Sequence, residues 1–174
     1  VAAVTSAAVL NPAAEALAAE GEEEISALAV LRVSEVCSFE EKILRAAAGG
    51  ADVGMTLAPS QFVYGTRILL ENSNIDGNMK LMIRTEVPRG KREAAVQDAV
   101  RVMNQFSTLS KTAAALKELT PEDMLVLADL YKSIQVDLGQ LFSYLRPKDQ
   151  EKYEFKANAL RAYEQALAAE EDVE

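Results

Sequence analysis

From Met124 to Leu145 the apolar residues Met124, Leu127, Tyr131, Ile134, Leu138, Leu141 and Leu145 step by 3, 4, 3, 4, 3 and 4. That period places all seven on one stripe of an α-helix, the seam of a helix that buries one face in a bundle. A strand would scatter the same residues over both faces. Just before them, Thr120-Pro121-Glu122-Asp123 supplies a hydroxyl N-cap, a proline at the first helical position and acids in the first turn. Arg146-Pro147 ends the helix.

The rest of the 174-residue chain follows the same rule, with alanine-rich, 3/4-spaced segments and no strand-like alternation. The spacing predicts a short helix from Asn11-Pro12, closed by Gly21, and a first long helix from Glu22 to Gly49-Gly50. The expected core stripe of the long helix is Ile25, Leu28, Val36, Phe39 and Ile43. A connector covers Ala51 to Ala58. Pro59 opens a second helical region carrying Phe62, Leu69, Met79, Met82 and Ile83, weakened by the turn-forming cluster Asn72, Ser73, Asn74, Asp76, Gly77 and Asn78. Pro88-Arg89-Gly90 is a turn. A third helix is expected from about Lys91 to Leu119, with Val96, Val100, Met103, Phe106, Leu109, Ala113 and Leu116 inward. After the Met124 helix, a last one carries Tyr153, Leu160, Tyr163 and Leu167.

Four helices of this length, joined by short turns, predict an all-α fold. The expected form is an up-down-up-down four-helix bundle with an extra short N-terminal helix and an extra C-terminal helix. Residues 1–10 read as an extended arm, 11–169 as one helical domain and 170–174 as an acidic, frayed tail.

The chemistry is mostly subtractive. With 18 Lys+Arg against 27 Asp+Glu the net charge is -9, which argues against nucleic acid and anionic lipid. No His is present, so the commonest general base and the Glu-x-x-His signature of di-iron bundles are missing. Val1 to Leu10 is half the length a spanning helix needs. Of the helical acids Glu40, Glu41, Glu122, Asp123, Asp129 and Asp137, the spacing puts Asp129 and Asp137 off the seam, on a solvated face. Lone Cys37, between Val36 and Phe39, reads as a half-buried small hydrophobe. Gly49-Gly50 and Gly54 form no phosphate loop. Tyr131, Phe142, Tyr144 and Tyr153 read as core or core edge. These absences predict a protein that is not an enzyme and uses no metal or cofactor.

Charge placement says more. Val1 to Leu31 holds five acids and no base, and so does the segment beyond Arg161. Arg84, Arg89, Lys91 and Arg92 surround the second turn with only Glu86 opposing them. A positive corner on an acidic body orients a docking encounter, so these four are the candidate docking residues.

The stretch Asn74 to Ala114, NIDGNMKLMIRTEVPRGKREAAVQDAVRVMNQFSTLSKTAA, resembles the second and third helices of the PsbQ family, extrinsic four-helix-bundle proteins of photosystem II. The likeness lies in the aliphatic Lys80-Leu81-Met82-Ile83 helix end, the basic turn at Pro88, and a following helix with paired basic residues and a late Phe106-x-x-Leu109. The change of helix at Thr120-Pro121 also falls where that family changes helices. The chain departs from the plant members in its weak Asn72 to Asn78 region, in lacking a proline-rich N-terminal arm, and in its extra Tyr153 to Leu167 helix. These features resemble an algal relative.

The resemblance implies a non-catalytic subunit of the chloroplast thylakoid lumen. It would be peripheral to the membrane and not spanning it, and would dock to the photosystem II core and other extrinsic subunits to stabilise the oxygen-evolving complex. The alanine-rich start at Val1 is similar to the product of lumenal processing. Two alternatives stay open: a structural or linker subunit of another photosynthetic antenna supercomplex, and a generic helical interaction module.

Overall fold

A computed structural model describes residues 12–171, with side chains from 26 to 165, and every regular element in it is helical. The elements are α1 (Pro12–Ala48), α2 (Pro59–Ser73), α3 (Ile75–Thr85), α4 (Arg92–Ala115), α5 (Pro121–Ser143) and α6 (Pro147–Glu171), with a 3₁₀ turn at Arg89–Lys91. The expected arm, residues 1–10, lies outside the described residues. The backbone of α6 continues to Glu171, into the segment read as a tail, and 172–174 lie outside.

Gly21 does not close a helix, and α1 runs through it without a break, so there is no separate short N-terminal helix. One glycine costs a helix only about 1 kcal/mol relative to alanine, and the flanking alanines and glutamates are strong helix formers. Where α1 does end, the chain turns as glycine allows. Gly50 takes a left-handed φ of +82°, and the amides of Gly50 and Ala51 donate to the carbonyls of Ala47 and Ala46 at 2.9 and 3.0 Å.

The weak middle of the second helical region is a true break. Asn74 sits between α2 and α3 in the left-handed region, φ 42° and ψ 44°, a conformation Asn tolerates better than most side chains. Asn78 Nδ2 then donates to Ser73 O at 2.7 Å, which satisfies a carbonyl the broken helix leaves open.

α1 packs most extensively on α5, α5 on α4, α4 on both α2 and α3, and α3 returns to α1. Arg45 reaches Asp129 at 2.7 Å and Lys132 lies 3.8 Å from Glu41, while Val30 and Leu31 share a cleft with Leu138 and Phe142. That order makes α1 and α5 antiparallel. α6 packs against α1. Its Arg161 and Glu164 pair with Glu35 and Arg32 of α1 at 3.0 and 2.6 Å, and Gln150 and Glu154 share a cleft with Val30, Leu31 and Ser34.

The seam of α5 is as expected: Leu127, Tyr131, Ile134, Leu138, Leu141 and Leu145 are buried, and Met124 packs against them half-buried. Phe62 meets Tyr131 edge-on at 6.5 Å. Phe142 and Tyr153 are buried and Tyr144 lies at the core edge, as read.

The inward faces of α1 and α4 differ from expectation. On α1, Val36 is 38% and Phe39 59% exposed, and the buried stripe is Ser26, Ala27, Val30, Val33, Cys37 and Leu44. Most of these buried side chains are small, and small side chains permit close approach of neighbouring helices. On α4, Val96 and Val100 are 50% and 54% exposed, and the inner stripe begins with Ala95, Ala99 and Val102 before joining Phe106, Leu109 and Ala113 as read. α4 also ends at Ala115, short of Leu119. On α6, Leu160 and Tyr163 face outward.

Candidate functional site

The α3–α4 turn is built from the inside. α3 stops at Thr85, where the amides of Glu86 and Val87 both donate to Met82 O, at 2.9 and 3.1 Å. Val87 is buried and fixes the turn against the core, Pro88 forbids further helix, and Lys91 N donates to Pro88 O at 2.9 Å to close the 3₁₀ turn. Glu86 is only 8% exposed and accepts a hydrogen bond from Ser26 Oγ on α1 at 3.2 Å.

The acid that opposed the basic cluster in the sequence is therefore turned inward. Arg84, Arg89 and Lys91 are exposed, and among the described residues no carboxylate forms a salt bridge with them. Arg92 differs from these three. It is half-buried, and its Nε donates to Val87 O at 2.9 Å, so part of its role is to hold the turn. Sequence reasoning treated all four as equivalent.

Beside this turn, a groove of about 520 Å³ runs between α3 and α4, floored by Ile83, Ala99 and Met103 and edged by Arg84 and Arg92. A second, about 630 Å³, lies between α1 and α2 under Val36, Ile68 and Leu160.

A polar network that the sequence reading missed joins α4 to α5. Arg101 pairs with Asp98 on its own helix and with Asp137 across the interface at 3.3 Å. Gln105 Nε2 donates to Ser133 Oγ at 2.7 Å and to Asp137 Oδ2 at 2.9 Å. Asp137 is consequently not on a solvated face: its side chain is largely covered, and the Arg101 guanidinium, bonded to it, is held further above its already high range. Asp129 is exposed, as expected. The available signal was Asp98 itself, which stands at the inward spacing between Ala95 and Val102. A charge there predicts a partner rather than solvent.

Cys37 is fully buried rather than half-buried, and its presumed companions Val36 and Phe39 point outward. Burial, with the nearby charge of Glu40 adding to it, pushes the thiol up to about 12. Glu40 itself is raised by burial, and Tyr131 is raised by burial and then by Glu40. Each of these groups keeps its proton more tightly than in water, the opposite of an activated nucleophile. Among the described residues no three His, Cys, Asp or Glu side chains are placed to hold a metal ion, and no helix is long and apolar enough to cross a membrane.

No family model, no curated protein and no solved structure matches this chain.

Proposed function

We propose that this chain is a non-catalytic docking subunit. In this reading α1, α2 with α3, α4 and α5 are the four members of an up-down-up-down bundle, and α6 is an addition packed against α1. The observation that carries the reading is the inward turn of Glu86 to Ser26, which leaves Arg84, Arg89 and Lys91 as an exposed positive corner on a chain of net charge -9. Such a corner registers and speeds an encounter with an acidic surface more than it adds affinity. The proposed setting, taken from the PsbQ resemblance of Asn74 to Ala114, is the lumenal side of photosystem II. There the chain would sit peripherally beside the core and the other extrinsic subunits and stabilise the oxygen-evolving complex.

The test is rebinding to salt-washed photosystem II membranes. Changing Arg84, Arg89 and Lys91 together to Gln, and leaving Arg92 to hold Val87, should keep the fold and the thermal midpoint. It should also slow rebinding and flatten its dependence on ionic strength. Rebinding equal to the parent's across the salt range would overturn docking through this turn. A parent chain that rebinds to photosystem I or free antenna instead would point to the antenna-linker alternative.

A further inference from the structure

α4 carries two apolar stripes, and the outer one is only partly used inside this chain, through Met103, which packs against the core. The inner stripe from Ala95 to Ala113 is buried against its neighbours. The outer one, Val96, Val100 and Met103, has the i, i+4, i+7 spacing of a helix-packing face. Val96 and Val100 are half exposed, on the wall of the α3–α4 groove. Exposed apolar residues scattered singly need no explanation, but three in helical register lining one groove form a surface shaped to be covered.

The rim says what kind of group covers it. Arg84 and Arg92 stand at the groove's edge, and Lys80, also on the rim, is neutralised by Asp76 at 2.6 Å. The local balance is positive on a chain that is otherwise acidic.

We propose that the α3–α4 groove receives an amphipathic helix of a partner protein, one that sets apolar side chains against Val96, Val100 and Met103 and carboxylates against Arg84 and Arg92. The outer stripe covers about 10 Å, or two helical turns, which fits the two or three anchors by which helices seat in grooves. A second copy of this chain using the same groove would bring two positive rims face to face, which costs rather than contributes. Anionic lipid would meet the rim only by approaching a body of net charge -9. The inference rests on the docking reading above and names the chemistry of the partner at that corner.

The probe is a fluorescein-labelled helical peptide with leucines at i, i+4 and i+7 flanked by glutamates, titrated with the full chain and followed by anisotropy. Saturable binding is expected. A scrambled peptide of the same composition should bind at least about tenfold more weakly, as should the parent peptide with Val100→Asp or Arg84→Glu. Val100 is exposed, so its change leaves the fold intact, as circular dichroism would verify. Exchanging the peptide's glutamates for lysines should restore binding to the Arg84→Glu variant, which a misfolded variant could not show. Ile68→Asp, in the α1–α2 groove, should change nothing.

Equal binding of the scrambled peptide, or indifference to Val100→Asp, would overturn the proposal. So would capture by phosphatidylglycerol vesicles in place of the peptide, or a dimer in sedimentation that Val100→Asp dissolves. Photosystem II rebinding that depends on Arg89 and Lys91 but not on Val100 would sink the groove alone. Peptide binding without any membrane rebinding would sink the photosystem II setting alone.

Discussion

Ser26 and Glu86, sixty positions apart in the chain, are joined by a 3.2 Å hydrogen bond between a fully buried hydroxyl and a carboxylate that is almost as well buried. The bond ties the end of α3 to α1, and the inward placement of Glu86 shapes the sign of the surface above it, since a Glu86 turned outward would answer the basic residues on either side. Ser26→Ala removes one donor from a buried acid and should cost about 1 to 3 kcal/mol by denaturant unfolding. Ser60→Ala, at an exposed position, should stay within about 0.5 kcal/mol. Equal small effects at both would mean the contact contributes nothing.

Leu138 lies midway along the α5 seam with no exposed surface. Leu138→Ala should lower stability by about 2 to 5 kcal/mol through lost burial and the cavity left behind. Leu44→Ala on α1 belongs to the same range, whereas Phe39→Ala, despite the larger side chain, should cost under about 0.5 kcal/mol. A reversed order for Leu44 and Phe39 would show that α1 presents its other face to the core.

Thr120 caps α5 reciprocally: Asp123 N donates to Thr120 Oγ1 at 3.2 Å, and Thr120 N donates to Asp123 Oδ2 at 3.2 Å. Thr120→Ala should therefore cost about 0.5 to 2 kcal/mol. The double change with Asp123→Ala should cost less than the sum of the two single changes, because either one already breaks the box. Strict additivity in thermal or urea unfolding would count against a shared cap.

The Cys37 thiol holds its proton to about 12 in the folded chain, against an ordinary value near 9. Above pH 9 the unfolded chain ionises this group while the folded chain does not, so folded stability falls as pH rises from about 9 to about 12, with a limiting slope of about 1.4 kcal/mol per pH unit. Replacement by Ala should flatten that decline in urea titrations run at stepped alkaline pH. The same protection predicts slow alkylation by iodoacetamide at pH 8 in buffer and fast alkylation in denaturant. Native-state alkylation at the rate of a free thiol would be incompatible with a buried Cys37.

The difference between what was legible in the sequence and what was not has a physical origin. α5 has one regularly 3/4-spaced apolar seam, with Leu125, Val126 and Val136 scattered off it, and a capped, proline-marked start, so its register, its core seam and the Thr120 cap could all be read from the sequence. The break at Asn74 was legible for a similar reason, since residues that compete with the helix backbone crowd a single turn. α1 and α4 each have two candidate stripes. Ranking by hydrophobicity selects the one with Val36, Phe39, Val96 and Val100, while close helix approach selects the one with Ser26, Ala27, Ala95 and Ala99. Packing distance is a property of two helices together, and one helix's sequence does not contain it. The site was partly legible in the same sense. The basic cluster stood out, but the burial of Glu86 and the tie from Arg92 to Val87 depend on contacts formed only after folding.

The small-residue face of α1 inverts the usual relation between a side chain's bulk and its freedom to vary. Ala27 and Ser26 are fully buried, so an added methyl group there has no free surface to grow into, while at the 59% exposed Phe39 a whole ring can be lost with little effect on the fold. Over many generations of neutral drift the inconspicuous alanines and serine of α1 would be the letters that stay, and the large outward residues would record whichever partner a lineage kept.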